Sequence, residues 1–207
     1  SAFRAPGVKL RAENDLELVR ALAIESQKEK IDVILLNKDD RGIPRANASL
    51  DHGVTVPLYF LQEAGTAQRC VAITFAPLSF EVLFRFGQAL QRAIFAVGRK
   101  AAVVASADLS HRLTRDAPAG YHPKGREYDA LIVEYLSGYQ VEKLLSIDEE
   151  LVSTAGECGL RSLLILMGSL SGLSVQPRLL SYEGPFGVGY PVASFLPLAD
   201  KAGTTNG

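Results

Sequence analysis

Two histidines of this sequence lie in motifs whose residue types suit acid–base chemistry. His111 follows Asp108 by three residues in VVASADLSHRL, a run that opens with apolar residues and ends in a polar turn. A carboxylate at this spacing can fix the tautomer of an imidazole and tune its affinity for a proton. The turn therefore predicts a functional site at Asp108 and His111, with a structural hydrogen bond as the plainer interpretation.

The other histidines admit plainer interpretations. His52 lies in LDHGVTVPLYFL, after a long polar loop over 38–51, where Asp51 can cap a helix and His52 can make one structural hydrogen bond. The alternative is that His52 belongs to the same site as His111. His122 precedes Pro123 in a loop before a helix, and this position favours a solvated residue.

Glu157 and Cys158 open an apolar helix in STAGECGLRSLLILMG. A carboxylate at that position complements the helix dipole, which is its ordinary role. The alternative is a metal or substrate ligand, because a carboxylate with imidazoles leaves open coordination positions on Fe(II). Cys158 is a second candidate ligand, although a single thiol beside an apolar helix more often packs.

Charge and composition exclude several functions. Lys and Arg number 22 and Asp and Glu 23, so the net charge of −1 predicts no nucleic-acid partner. No apolar run is long enough to span a bilayer, and we expect no membrane association. Cys70 and Cys158 are the only cysteines in the 207 residues, which predicts reduced thiols and a cytoplasmic protein. The sequence contains no phosphate-binding glycine loop and no GxSxG nucleophile motif.

Alternating apolar periods predict the elements that must position these residues. Short β-branched runs predict buried strands, and 3.6-residue apolar periods predict helices. The predicted strands are 31–37, 70–76 and 101–107, and the predicted helices are 14–30, 79–98, 124–138, a short piece near 140–155, and 157–171. VQPRLLSYE and GYPVASFLPL, joined by GPFG, predict a hairpin at the end. The fold class is therefore α/β, a central mixed sheet flanked by helices, with Asp108 and His111 at the carboxyl end of a strand.

Three segments in order carry a resemblance to a known family. LDHGVTVPLYFL, VVASADLSHRL and TAGECGLRSLLILMGSL, with the ending SYEGPFGVGY, resemble the class III extradiol ring-cleavage dioxygenases of the LigB-type superfamily, in the branch of the AmmeMemoRadiSam and Memo proteins. The resemblance covers most of the chain and implies one domain over 1–207. It also implies non-haem Fe(II), with a catechol-like aromatic substrate and O2 as the reactants.

The resemblance implies a role for each candidate residue. His111 looks like the histidine that takes a proton from the catechol and returns it, and Asp108 would orient its segment. His52 looks like a histidine that contacts the substrate or bound oxygen. Glu157 looks like the carboxylate ligand of the iron, with Cys158 as the alternative because the Memo branch carries a cysteine near that position.

The resemblance also leaves two functions open. Two family ligand histidines come from an amino-terminal segment, and no histidine precedes His52, so we expect either that this segment is missing from this chain or that the iron site has been lost. The first hypothesis is an extradiol dioxygenase that is active when those ligands are supplied. The second is a Memo-like binding or accessory protein on the same fold, and either is compatible with a homo-oligomer.

Overall fold

The computed structural model describes residue 10 and residues 12–35, 52–66 and 69–198. Within them the chain forms seven α-helices and two β-strands, which confirms the predicted α/β class with a carboxyl-terminal hairpin. The predicted loop 38–51, which includes Asp51, lies outside the described residues. The elements are α1 (Leu16–Lys28), α2 (His52–Glu63), α3 (Phe80–Ala96), α4 (Pro123–Ser137), α5 (Val141–Leu145), α6 (Glu149–Ala155), α7 (Leu160–Ser169), β1 (Val175–Glu183) and β2 (Tyr190–Pro197).

Side-chain caps set the starts of the long helices. The Asp15 carboxylate accepts a hydrogen bond from the Leu18 amide at 3.1 Å and begins α1. Ser79 does the same for α3 through the Val82 amide, and His122 accepts from the Lys124 amide through Nδ1 at 3.2 Å to begin α4. Each cap satisfies a backbone donor that has no partner inside the helix.

The hairpin ends the described chain. β1 and β2 pair antiparallel from Val175 opposite Pro197 to Glu183 opposite Tyr190, with a register shift between Leu179 and Ser181. A short 3-10 turn at Pro185–Gly187 lies in the connection between the strands. The predicted hairpin is thus confirmed, and its glycine-rich connection lies beside the candidate site.

The central mixed sheet is matched only loosely. In the described part of the chain, segments 31–35, 70–76 and 101–107 form no strand ladder, and their one bridge joins Asn14 to Cys70. Residues of segment 101–107 and of β2 instead line the same cavity of about 660 Å³. Val103, Ala105 and Ala107 still pack against the core. An apolar run thus specifies burial of side chains, and it does not by itself specify a hydrogen-bonded neighbour.

The core forms where α3 lies against α7. Gly87 and Gly168 let the two backbones approach closely, because a Cβ on Gly87 would collide with the Ile165 carbonyl and one on Gly168 with the Phe84 carbonyl. Fully buried residues of α4 to α7 complete the same cluster: Tyr128, Ile132, Leu144, Ala155, Leu160 and Leu164. Among the helices described, none combines the length and the apolar content that a membrane span requires.

Candidate functional site

The turn that carries Asp108 and His111 is bonded to the connection between the hairpin strands. The Leu109 amide donates to the Gly189 carbonyl at 2.8 Å, and the Gly189 amide donates back to the Ser110 carbonyl at 3.0 Å. The Leu113 amide donates to the Gly187 carbonyl at 3.0 Å. Gly187 has φ of +77°, a backbone conformation that other residues rarely adopt, so glycine is required where the hairpin meets the turn.

Asp108, His111 and Cys158 bring three ligand-type atoms together. His111 Nε2 lies 3.5 Å from Asp108 Oδ2 and 3.8 Å from Cys158 Sγ, and the three side chains fall within 4.8 Å of one another. The histidine and the aspartate are half-buried, and the cysteine is reachable from solvent. We call these three residues the Asp–His–Cys cluster.

The cluster has the geometry of a metal site and not of a nucleophilic triad. In a Cys–His–Asp triad the thiol and the carboxylate face opposite nitrogens of the imidazole. Here Asp108 Oδ2 and Cys158 Sγ both approach Nε2, so the three atoms converge on a common point. Bonds of about 2.0–2.3 Å to a tetrahedral metal place ligand atoms roughly 3.3–3.8 Å apart. The two separations from Nε2 fall in this range and the third is at most 4.8 Å, so the three residues form a candidate metal site.

The electrostatic surroundings of Cys158 agree with this assignment. Partial burial raises the pKa of the thiol, and the nearby Asp108 and Glu157 carboxylates raise it further, whereas a weak hydrogen bond to the Asp108 carbonyl lowers it. A nucleophilic cysteine needs the opposite shift, because the thiolate is the reactive form. A bound cation would favour the thiolate and offset the negative charge of Asp108.

Glu157 lies next to the cluster in sequence but is not one of its members. Its Oε2 accepts a hydrogen bond from the Leu160 amide at 2.6 Å at the start of α7, and its Oε1 lies 3.8 Å from Arg161 Nη1. The side chain is 2% exposed. These contacts are those of an acid at a helix start, where Gly159 offers no side-chain cap. The role of Glu157 as an iron ligand stays a prediction.

His52 and His122 also lie apart from the cluster. His52 is the first residue of α2 and is exposed, and it is not part of the group of ligand-type side chains found among the described residues. Its predicted contact with substrate or oxygen stays a prediction. His122 is half-buried and caps α4.

Sequence reasoning missed Asp129, which supports the turn from α4. Asp129 is 1% exposed and accepts hydrogen bonds from the Ser110 amide at 2.8 Å and from the Tyr182 hydroxyl at 2.5 Å. Burial raises the pKa of this carboxyl, and the two hydrogen bonds oppose the shift. The signal in the sequence is an acid beside Tyr128 on the apolar face that continues through Ile132 and Leu136. Such a buried acid requires partners.

The comparisons with known proteins identify the family. The profile of the catalytic LigB subunit of aromatic ring-opening dioxygenase matches residues 1–193. The chain belongs to the LigB family. Membership supports a dioxygenase-type fold and metal binding, in agreement with the convergence of the Asp–His–Cys cluster.

One curated relative is similar over most of the chain. A protein of Clostridium acetobutylicum is 40% identical over 190 residues, which is 92% of this chain and 41% of the relative. The chain thus spans about two fifths of the length of that relative. The name of that relative assigns no activity.

Proposed function

We propose that this chain is the metal-binding domain of a LigB-type oxygenase and that the Asp–His–Cys cluster holds Fe(II). The observation that carries the proposal is the convergence of a carboxylate oxygen, an imidazole nitrogen and a thiol sulfur within 4.8 Å in a member of this family. One thiolate and one carboxylate would balance the two positive charges of the ion, and imidazole is a common iron ligand.

The residues of the cluster have distinct tasks in this proposal. Bound Fe(II) supplies open coordination positions at which an aromatic diol and O2 can meet. Asp108 and Cys158 hold the negative charge, and His111 presents Nε2 to the same point. Nε2 has a single lone pair, so ligation of the ion and acceptance of a proton from a catechol hydroxyl, the role that the resemblance gives His111, are alternatives at this atom. We place this chemistry in the cytoplasm, where thiols stay reduced.

The cavity beside segment 101–107 supports a small aromatic substrate. Its volume of about 660 Å³ falls in the range of small-molecule sites, and its lining is mostly apolar. The lining includes Ala107, the residue immediately before Asp108. An aromatic ring suits such a lining, although Asp108, His111 and Cys158 are not among the lining residues.

The second candidate function is a Memo-like binding protein, and the cysteine favours it. The Memo branch carries a cysteine near the ligand position, and in this structure Cys158, not Glu157, is the residue that faces His111. Such a protein would bind a metal or a partner without ring opening. The two candidates therefore share a metal site and differ in turnover.

An anaerobic Fe(II) titration tests the proposed site. We expect about one ion per chain, and we expect Cys158→Ala to weaken binding more than about 100-fold, because even residues outside the ligand set contribute 10–100-fold. Cys70→Ala is the matched control, since Cys70 is a free thiol whose backbone pairs with the region around Asn14. Wild-type affinity in Cys158→Ala, or no binding by the wild-type chain, would remove the proposed site.

Turnover separates the two functions. The iron-loaded chain is mixed with a series of catechols and O2, and ring opening is followed by absorbance and oxygen uptake. Ring opening that His111→Gln abolishes supports the dioxygenase, and the affinity of this variant for iron tells whether Nε2 binds metal or moves a proton. Stoichiometric iron with no oxygen uptake for any catechol supports the Memo-like alternative.

A further inference from the structure

Asp129 is a buried acid that the proposed chemistry does not use. Its Oδ1 accepts from the Ser110 amide and its Oδ2 from the Tyr182 hydroxyl, so both oxygens are engaged. Among the residues described, no lysine, arginine or histidine forms an ion pair with it. Burying a carboxylate without a cation is costly, and such a group is retained where its hydrogen bonds fix a structure.

Ser110 connects Asp129 to the cluster through hydrogen bonds. It lies between Asp108 and His111, and it is itself fully buried. Its Oγ donates to the Ala155 carbonyl at 2.8 Å and accepts from the Arg112 amide at 3.0 Å. Ala155 ends α6, three residues before Cys158. Ser110 therefore links the segment that carries Asp108 and His111 to the segment that carries Cys158.

The hairpin closes the same arrangement from the other side. Tyr182 lies near the end of β1, and its hydroxyl reaches Asp129 across the turn. Gly189 lies directly against this carboxylate, since a Cβ at this position would collide with Asp129 Oδ2. Gly189 in turn exchanges backbone hydrogen bonds with Leu109 and Ser110. One carboxylate thus joins α4, the turn and the hairpin.

We propose that Asp129, through the Ser110 amide and the Tyr182 hydroxyl, is the positioning residue that makes Asp108 and His111 face Cys158. The inference rests on the proposed metal site and adds a residue to it. Asp129 touches none of the three ligand-type atoms at hydrogen-bond distance, so its effect is on their separation. Loss of its contacts should change the geometry of a bound ion and not only its affinity.

Co(II) is the probe, because its visible spectrum reports coordination geometry and its charge-transfer band reports a thiolate ligand. The variants are Asp129→Asn, which keeps an acceptor for the Ser110 amide, and Tyr182→Phe, which removes one hydroxyl. We expect each to weaken Co(II) binding about 10-fold or more and to alter the ligand-field bands. Tyr139→Phe is the matched control, since it removes a tyrosine hydroxyl that bonds the Leu170 carbonyl. It should leave both readouts unchanged.

Wild-type affinity and spectrum in both Asp129→Asn and Tyr182→Phe would overturn the inference. If Asp129→Asn does not fold, as judged by circular dichroism, the result with Tyr182→Phe decides. If the wild-type chain binds no Co(II) or Fe(II), the proposed site fails, and a metal-free measurement decides the role of Asp129. Amide exchange at Ser110 should then be at least about 10-fold faster in Tyr182→Phe than in Tyr139→Phe. Equal exchange in the two variants would overturn the inference.

Discussion

The local environment of each side chain distinguishes Asp108, a member of the cluster, from Glu157, which lies next to the cluster. Asp108 approaches His111 Nε2 at 3.5 Å, whereas Glu157 is held by the amide of Leu160. Asp108 follows an apolar segment and Glu157 precedes an apolar helix. From the sequence alone, both carboxylates are similar candidates for a metal ligand. The difference arises from which backbone donors lie within reach, which is a property of the folded chain.

Glu157→Ala distinguishes a helix-start acid from a ligand. Removal of a side-chain acceptor at a helix start costs about 0.5–2 kcal/mol, so we expect the free energy of unfolding to fall by about 1 kcal/mol. In our proposal the affinity for Fe(II) stays within about threefold of wild type, because the Asp–His–Cys cluster is intact. Urea denaturation and metal titration measure the two quantities. A large loss of iron affinity with little loss of stability would restore Glu157 as the ligand that the resemblance implies.

At the level of elements, ion pairs join helix α1 to helix α3 beside the core. Glu25 is 8% exposed and accepts from Lys28 Nζ at 2.5 Å and from Arg92 Nε at 3.0 Å. Arg92 also reaches Glu29 at 2.7 Å. The hydrogen bonds from Lys28 and then from Arg92 hold the pKa of Glu25 below its ordinary value of about 4.3. The pair of helices is therefore stabilised by the ionised form of this acid.

This shift predicts how stability depends on pH. Because the folded pKa of Glu25 is lowered, its contribution is complete above about pH 4.3 and is lost as pH falls through the lower folded value. Glu25→Gln should lower the free energy of unfolding by about 1 kcal/mol at pH 7, since both cations are partly exposed, and should flatten the acid limb. Glu127→Gln, which removes an exposed pair with Lys124, is the control. Identical acid limbs for Glu25→Gln and wild type would contradict the expectation.

The close approach of α3 and α7 gives a second prediction at this scale. A Cβ on Gly87 would meet the backbone of α7, so Gly87→Ala should destabilise by about 1–3 kcal/mol, even though alanine is about 1 kcal/mol better than glycine in a helix. Gly138→Ala is the control, because there a Cβ would meet only the flexible side chain of Gln140. Thermal unfolding measures both variants. A stabilised Gly87→Ala would mean that the two helices can separate at little cost.

For the whole molecule, the sequence predicts the helices and the hairpin better than the sheet and the site. Helix periods and caps are local, so α1, α3 and α4 lie within two residues of their predicted bounds. Strands are predicted at 70–76 and 101–107 from local apolar patterns. Such patterns do not identify the neighbouring strand with which a segment would form hydrogen bonds. The support of the turn by Asp129 and Tyr182 joins residues 53 positions apart, and no local pattern reveals such a contact.

One core should make the described elements unfold together. Leu164 is fully buried in the cluster shared by α3, α4 and α7, and Leu164→Ala should cost about 2–5 kcal/mol. At roughly 2–4 °C per kcal/mol for a chain of this size, the midpoint of thermal unfolding should fall by several degrees or more. Leu180→Ala, on the half-exposed face of β1, should shift it by less than about 2 °C. Loss of far-ultraviolet signal in two separate steps would contradict a single cooperative unit.

The bonds between the turn and the hairpin also set a time at which the site can form during synthesis. The Leu109 amide donates its hydrogen bond to the carbonyl of Gly189, which lies 80 positions later in the chain. At about 5–20 residues per second, the ribosome needs roughly 4–16 seconds to make that stretch. Throughout that interval the nascent Asp108 and His111 lack the glycines that fix their turn. The metal site that we propose should therefore be complete only after Gly189 has been synthesised.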